Sequence, residues 1–232
     1  MSDHNSYYQK ELQYNTKRLR YLVRDLPSFC GEYFRGIEHT TSILTRINYA
    51  YDLRIFFDFL VTEIDTFAGL SPLELTLEHL DKIQILHIEK YLEYATYYSN
   101  PNNLEQERQN GEMGKARKLA SLRSLLSYFY KKEKIQRNVA QLVDLPKLTE
   151  KPIIRLDVDE VAKLLDAVES GNKLTPTQQR YHRYTKSRDL AILTLLLGTG
   201  IRISECIGLN ISDFDFRNNG FRVTRKGGDQ VI

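Results

Sequence analysis

Near the end of this 232-residue chain, two cations stand beside tight glycine turns. Arg202 lies in Leu195-Leu-Leu-Gly-Thr-Gly-Ile-Arg202-Ile-Ser-Glu205, and Lys226 in Arg225-Lys-Gly-Gly228. An arginine just past a Gly-x-Gly turn at a helix end can be held rigidly, and its planar fork suits two-point contact with a phosphodiester. Glu205 follows three residues later, on the same face if the segment is helical, where it can orient the guanidinium by a charge-assisted bond. Lys226 on a hairpin can reach a phosphate or a leaving oxygen as donor or proton source. Taken singly, the two features read as a local surface ion pair and a solvated turn lysine. Their order, spacing and hairpin context are what suggest part of a phosphoryl-transfer site.

A second cationic feature lies upstream. The net charge is only +3, too mild to identify a nucleic-acid binder, so its distribution carries the information. Residues 39–103 hold four Lys/Arg against nine Asp/Glu, whereas residues 108–137 hold nine Lys/Arg against Glu112 and Glu133. Within the basic block a helix is predicted from about Gly114 to Lys134. It sets Leu119, Leu122, Leu126 and Phe129 on one side, with Arg117, Ser121, Ser124, Tyr128 and Lys131 broadly opposite. Such a face can lie along a groove and neutralise phosphates. The candidate DNA contacts are Arg117, Lys118, Ser121, Arg123, Ser124 and Lys131, joined by Arg222 and Arg225 on the hairpin. The plainer reading is a solvated charged face.

Other chemistries find little support. Cys30 and Cys206 lie far apart with no partner at metal-ligand spacing, which fits reduced thiols rather than a disulfide framework or a metal site. The five histidines form no useful pair, and the glycine turns do not match a nucleotide-binding P-loop. No metal or cofactor is expected. The N-terminus lacks the pattern of a signal peptide and no apolar run approaches a membrane span, so the expected setting is the cytoplasm, away from membranes.

The positioning elements follow from periodicity. Leu44, Ile47, Tyr51 and Ile55 mark one helix, closing near Leu60, and Ile85, Ile88, Leu92 and Ala95 mark another, ending at the turn-rich Ser99-Asn-Pro-Asn-Asn103. Phe56, Phe57 and Phe59 read as core rather than as a stacking platform. Residues 7–35 look like further helix broken around Pro27, and residues 99–112 and 170–187 read as polar loops. Asp157 and Glu160 form a capping box ahead of another helix, and the apolar run from Arg188 to Leu197 predicts a helix buried on all sides. Alternation at Phe214 and Phe216, then at Phe221-Arg-Val-Thr-Arg225, predicts a hairpin through a type I′ turn at Asn218-Asn-Gly220. Arg222, Thr224 and Lys226 would share its polar face, with a third strand at Gln230-Val-Ile232. The expected organisation is an N-terminal helical extension (1–38), a helical domain (39–145), a proline-bounded linker (146–152) and an incomplete α+β domain (153–232). The fold class is thus mainly α with a small antiparallel sheet.

Taken in this order, the segments resemble the tyrosine recombinases, the phage-integrase and Xer-like family. Leu196-Leu-Gly-Thr-Gly-Ile-Arg202-Ile-Ser-Glu205-Cys-Ile-Gly-Leu209 and Val223-Thr-Arg-Lys226-Gly-Gly228 are similar to that family's first arginine box and hairpin lysine. Tyr51-Asp52-Leu53-x-x-Phe56-x-x-Phe59-Leu60 and the basic helix are similar to its core-binding domain, which clamps double-stranded DNA opposite the catalytic domain. The resemblance implies attack of a tyrosine on the scissile phosphate without metal, giving a 3′-phosphotyrosyl link and a free 5′-hydroxyl. Arg202 would stabilise charge on the non-bridging oxygens, Lys226 would protonate the leaving oxygen, and Glu205 would hold Arg202. It also implies self-association as a tetramer on two duplexes.

The family places a His-x-x-Arg box, a further His or Trp and the nucleophilic tyrosine after the lysine, and none of these is found before Ile232. The expectation is therefore a chain truncated within the catalytic domain. The alternatives are a non-catalytic DNA-binding module or regulator, and a helical protein-interaction domain whose basic face meets acidic partners. On the truncation reading, a nicked suicide duplex captures no covalent adduct with these 232 residues; an adduct band would refute it.

Overall fold

The computed structural model describes residues 6–100, 103–147, 152, 154–225 and 228–232. These fall into two compact units, Gln9–Glu150 and Lys151–Ile232. The fold is mainly α, with two small antiparallel sheets.

The first unit runs from Gln9 within α1 (Ser6–Arg24) through α2 (Phe29–Gly36), α3 (Ile43–Glu63), α4 (Leu77–Asp81) and α5 (Ile85–Tyr94). A two-stranded ribbon, β1 (Tyr97–Asn100) with β2 (Asn103–Gln109), leads into α6 (Glu112–Lys131). Pro27 separates α1 from α2 as expected, because a proline has no N–H to continue a helix. Ser42 caps α3, its hydroxyl accepting from the Thr45 N–H. Leu53, Phe56 and Phe57 of α3 and Leu119, Leu125 and Phe129 of α6 are shut off from water. Each such side chain contributes roughly 1.5–3 kcal/mol of burial energy. Phe29 of α2 meets Phe57 and Phe129 edge-on, with ring centroids 5.8 and 5.6 Å away, so the three helices share one aromatic knot.

From the expected N-terminal helical extension, Leu19, Leu22, Leu26, Phe29, Tyr33 and Phe34 bury in the same core as α3 and α6. Two expectations change here. Leu44 is exposed, because α3 turns to sink its larger rings, and the buried stripe runs through Ile47, Ala50, Leu53, Phe57 and Leu60. Most of the expected loop 99–112 is ribbon: Tyr98 of β1 is buried and stacks on Tyr94, and the Asn110 side-chain amide donates to the Ala95 carbonyl at 2.7 Å, closing the ribbon's base.

The second unit holds α7 (Val158–Ser170), α8 (Pro176–Thr199), the short α9 (Ile203–Ile207) and a three-stranded sheet. Its strands are β3 (Phe214–Asp215), β4 (Gly220–Arg225) and β5 (Gly228–Val231), in the order β3-β4-β5. The capping box at α7 forms as expected, Glu160 N–H donating to Asp157 and Asp157 N–H to Glu160. Most of the expected loop 170–187 is the first half of α8, started by Thr175 as cap and Pro176 in the first turn. α8 is not buried on all sides; Leu195 and Leu196 lean on a small core of Ile201, Phe221 and Val223, and Leu197 is exposed. The β3–β4 connection is a four-residue loop rather than a type I′ turn, because the Asp215 carboxylate accepts from the Arg217 and Asn218 N–H groups and from the Asn218 amide.

One buried ion pair ties the first unit together. Asp52 of α3 has a side-chain exposure of 0% and Lys118 of α6 one of 1%, and Lys118 Nζ donates to Asp52 Oδ1 at 3.1 Å. The Lys118 ammonium also lies 5.4 Å from the centre of the Tyr98 ring, so the ribbon roofs it. Asp52→Ala, which strands a buried lysine, is expected to cost about 3–5 kcal/mol. The double change Asp52→Leu with Lys118→Met is expected to cost far less, and urea unfolding of both variants checks the ordering.

Candidate functional site

In the second unit, helix α8 ends where Gly200 adopts a left-handed conformation, φ 66°, the backbone region that glycine enters without a Cβ penalty. The chain turns there and sets Arg202 as the residue capping α9. Glu205 then reaches back: its Oε2 accepts from the Arg202 backbone N–H at 3.0 Å and its Oε1 from Arg202 Nη1 at 2.7 Å. The Glu205 side chain is 7% exposed and the Arg202 side chain 74%, so a shielded carboxylate holds a guanidinium that faces outward. A second guanidinium approaches from the sheet, with Arg225 Nε 3.5 Å from Glu205 Oε2.

Register explains that approach. Along β4, Phe221 and Val223 are buried while Arg222 and Thr224 are exposed, so Arg225 falls on the inward face. Its far end reaches Gln230 of β5, and Thr224 donates to Asp229 at 2.8 Å. Arg202 and Glu205 are thus brought together, with Arg225 as a third member facing α9 and Arg222 facing outward. Lys226 lies outside the described residues. Three formal charges meet here, two positive and one negative, leaving a net positive spot suited to an anion.

In the first unit the α6 cations divide. Lys118 and Ser121 are buried, contrary to the expectation that Ser121 lies on the open face; Lys118 pairs with Asp52 and the Ser121 hydroxyl donates to the Lys118 carbonyl at 2.7 Å. Arg123 is a clamp, its guanidinium donating to the carbonyls of Ala140 and Val143. Ser124 accepts from the Tyr33 hydroxyl at 2.8 Å. Arg117 and Lys131 remain at the surface. Arg117 is 45% exposed and rests on Asp52 Oδ2 at 2.9 Å, so one carboxylate anchors a buried and a surface cation. Burial pushes the Asp52 carboxyl above its ordinary range, and the two cations pull against it. Asp52 itself is a residue the periodicity did not single out; its signal is an acid standing between apolar neighbours on a helix otherwise built to bury phenylalanines.

Residues 154–232 match the phage integrase family. This chain belongs to that family. The chain is similar to a tyrosine recombinase XerC of Caldanaerobacter subterraneus subsp. tengcongensis, 31% identical over 189 residues. That match covers 78% of this chain and 47% of the relative. A tyrosine recombinase XerS of Streptococcus uberis is 30% identical over 228 residues, 88% of this chain and 62% of the relative. The chain therefore spans about half to three-fifths of the length of these two relatives. No solved structure matches it. Among the described residues, no cluster of His, Cys, Asp or Glu is placed to hold a metal ion, and no helix is long and apolar enough to cross a membrane.

The Arg202 backbone N–H, then its guanidinium, hold the Glu205 carboxyl below its ordinary value. A depressed carboxylate contributes its stability above the unfolded value and loses it as pH falls through the folded one. The carboxyl carbon of Glu205, followed by NMR, should therefore titrate with a midpoint below the ordinary glutamate value of about 4.3. Arg202→Ala is expected to return it only part of the way, because the backbone donor survives. Titration of the unsubstituted chain at or above the ordinary value would contradict the geometry.

Proposed function

We propose that this chain is the DNA-engaging portion of a site-specific recombinase of the tyrosine type, in which Arg202 binds a scissile phosphate and the α6 face grips the duplex. The observation that carries the reading is the Arg202–Glu205 unit: a shielded carboxylate makes two bonds to one residue and aims its guanidinium at solvent. Family membership supplies the chemistry such a unit serves.

In this reading Arg202 binds the non-bridging oxygens of the phosphodiester and strengthens its contact as negative charge accumulates on them in the transition state. Glu205 does not touch the phosphate; it fixes the guanidinium in place before substrate arrives, so little reorganisation is needed at the moment of reaction. Lys226 protonates the departing 5′-oxygen. Bond exchange through a phosphotyrosyl link keeps the phosphodiester's energy for rejoining, and the partner duplexes are held by a tetramer. The cytoplasm is the compartment where chromosomal or plasmid DNA of a bacterium would be met.

The DNA contacts are Arg117 and Lys131 on α6 and Arg222 on β4, all exposed. Lys118, Ser121 and Arg123 are engaged inside the fold and are left out of the interface. Duplex binding measured by fluorescence anisotropy across a salt series tests this. The wild-type chain should bind with affinity falling linearly in log salt, and Arg117→Ala and Lys131→Ala should each flatten that slope by about 0.9. Arg123→Ala should instead lower the unfolding midpoint. A chain that is folded yet shows no salt-dependent duplex binding would refute the reading.

A further inference from the structure

A second cationic site lies in the first unit, between α1, α2 and α3, and neither the arginine box nor the α6 face accounts for it. A cavity of about 520 Å3 is lined there by Arg20, Arg24, Arg35 and Arg46. Glu38 is the single carboxylate among the described residues of its wall, so four positive charges meet one negative. Arg20 and Arg24 are one turn apart on α1, a spacing at which like charges repel. Arg46 stands in the first turn of α3, where the helix dipole disfavours a cation. The fold thus concentrates positive charge at a point where nothing inside the chain neutralises it fully.

Arg46 gives the cavity its direction. It is 9% exposed, its Nη1 donates to Glu38 Oε1 at 3.2 Å, and its Nε is buried without a hydrogen-bond partner. Glu38 thus satisfies the Arg46 guanidinium only in part, which leaves its charge available to an anion in the cavity it lines. Arg20, Arg24 and Arg35 are exposed around the opening, where their forks can close on a tetrahedral anion.

We propose that this cavity binds a phosphate group, seated against Arg46 and enclosed by Arg20, Arg24 and Arg35. The volume exceeds that of a bare phosphate and leaves room for an attached sugar or second phosphoryl group, with Leu19 in the wall on the apolar side. The same chemistry is presented by a free pyrophosphate or nucleotide and by the backbone of DNA. The proposal does not depend on Arg202 or α6, and its failure is separable from that of the recombinase reading.

The test uses the 232-residue chain with three probes: sodium pyrophosphate, ATP without metal, and a random-sequence duplex, each against chloride at equal ionic strength. Arg20→Ala with Arg35→Ala removes two exposed charges, and Arg46→Lys keeps the charge while losing the fork. If the source is a free phosphate, calorimetry shows pyrophosphate or ATP binding that weakens at least tenfold in the double variant and several-fold in Arg46→Lys. If the source is DNA, neither small probe binds, and the double variant lowers duplex affinity at least fivefold and flattens the salt slope by nearly two. Circular dichroism confirms that the double variant remains folded. The proposal is overturned if small phosphates bind no better than chloride and duplex affinity is unchanged, or if the double variant keeps wild-type binding of every probe.

Discussion

The Asp52 carboxylate sits below the surface of the helical unit with one ammonium buried beside it and one guanidinium resting on it from outside. A buried carboxylate in an apolar helix is tolerable only with partners, and those partners must come from α6, the helix that packs on α3. That requirement fixes the rotation of α6: Lys118 has to point inward, Ser121 follows it, and Arg117 is left at the rim. The ribbon then closes over Lys118 with Tyr98. One charge placed inside the core therefore decides which cations of a basic helix belong to the fold and which remain for a partner.

Glu205 does the corresponding work in the second unit on a smaller scale. Among the described residues, the small core there buries Ile201, Phe221 and Val223, so packing alone provides little to hold a long, exposed side chain still. Hydrogen bonding supplies what packing does not: two bonds from Arg202, and a second guanidinium from β4, converge on one shielded carboxylate. Both units use an acid out of solvent to orient an arginine into it. In each case the arginine keeps charge to spare, which is the property a phosphate-binding surface needs.

Helical spacing made much of the architecture legible. Pro27, the Asp157–Glu160 box and the alternation along β4 appear in the structure where local rules put them, because caps, prolines and strand periodicity act over three or four residues. The misreadings share one cause, which is that residue type does not settle exposure: polar segments 99–112 and 176–187 are largely strand and helix, while apolar Leu44 and Leu197 face solvent. Residues 176–187 are polar yet helical, since a helix with a good cap can be exposed along much of its length. Tyr97 and Tyr98 enter strand β1, and the tertiary packing of Tyr98 on Tyr94 favours ribbon over loop.

By itself the sequence determined the mainly helical class, the family and the pairing of Arg202 with Glu205, all of which rest on short-range spacing and ordered motifs. Tertiary structure alone decided the fate of individual charges. Lys118 and Arg117 are neighbours in the chain, yet one is buried and one exposed, because a helix turns about 100° per residue and only the packing of α6 on α3 sets where that rotation starts. Arg20, Arg35 and Arg46 are scattered over three helices and meet around one cavity for the same reason: electrostatic sites are built from distance in space, which local sequence pattern does not encode.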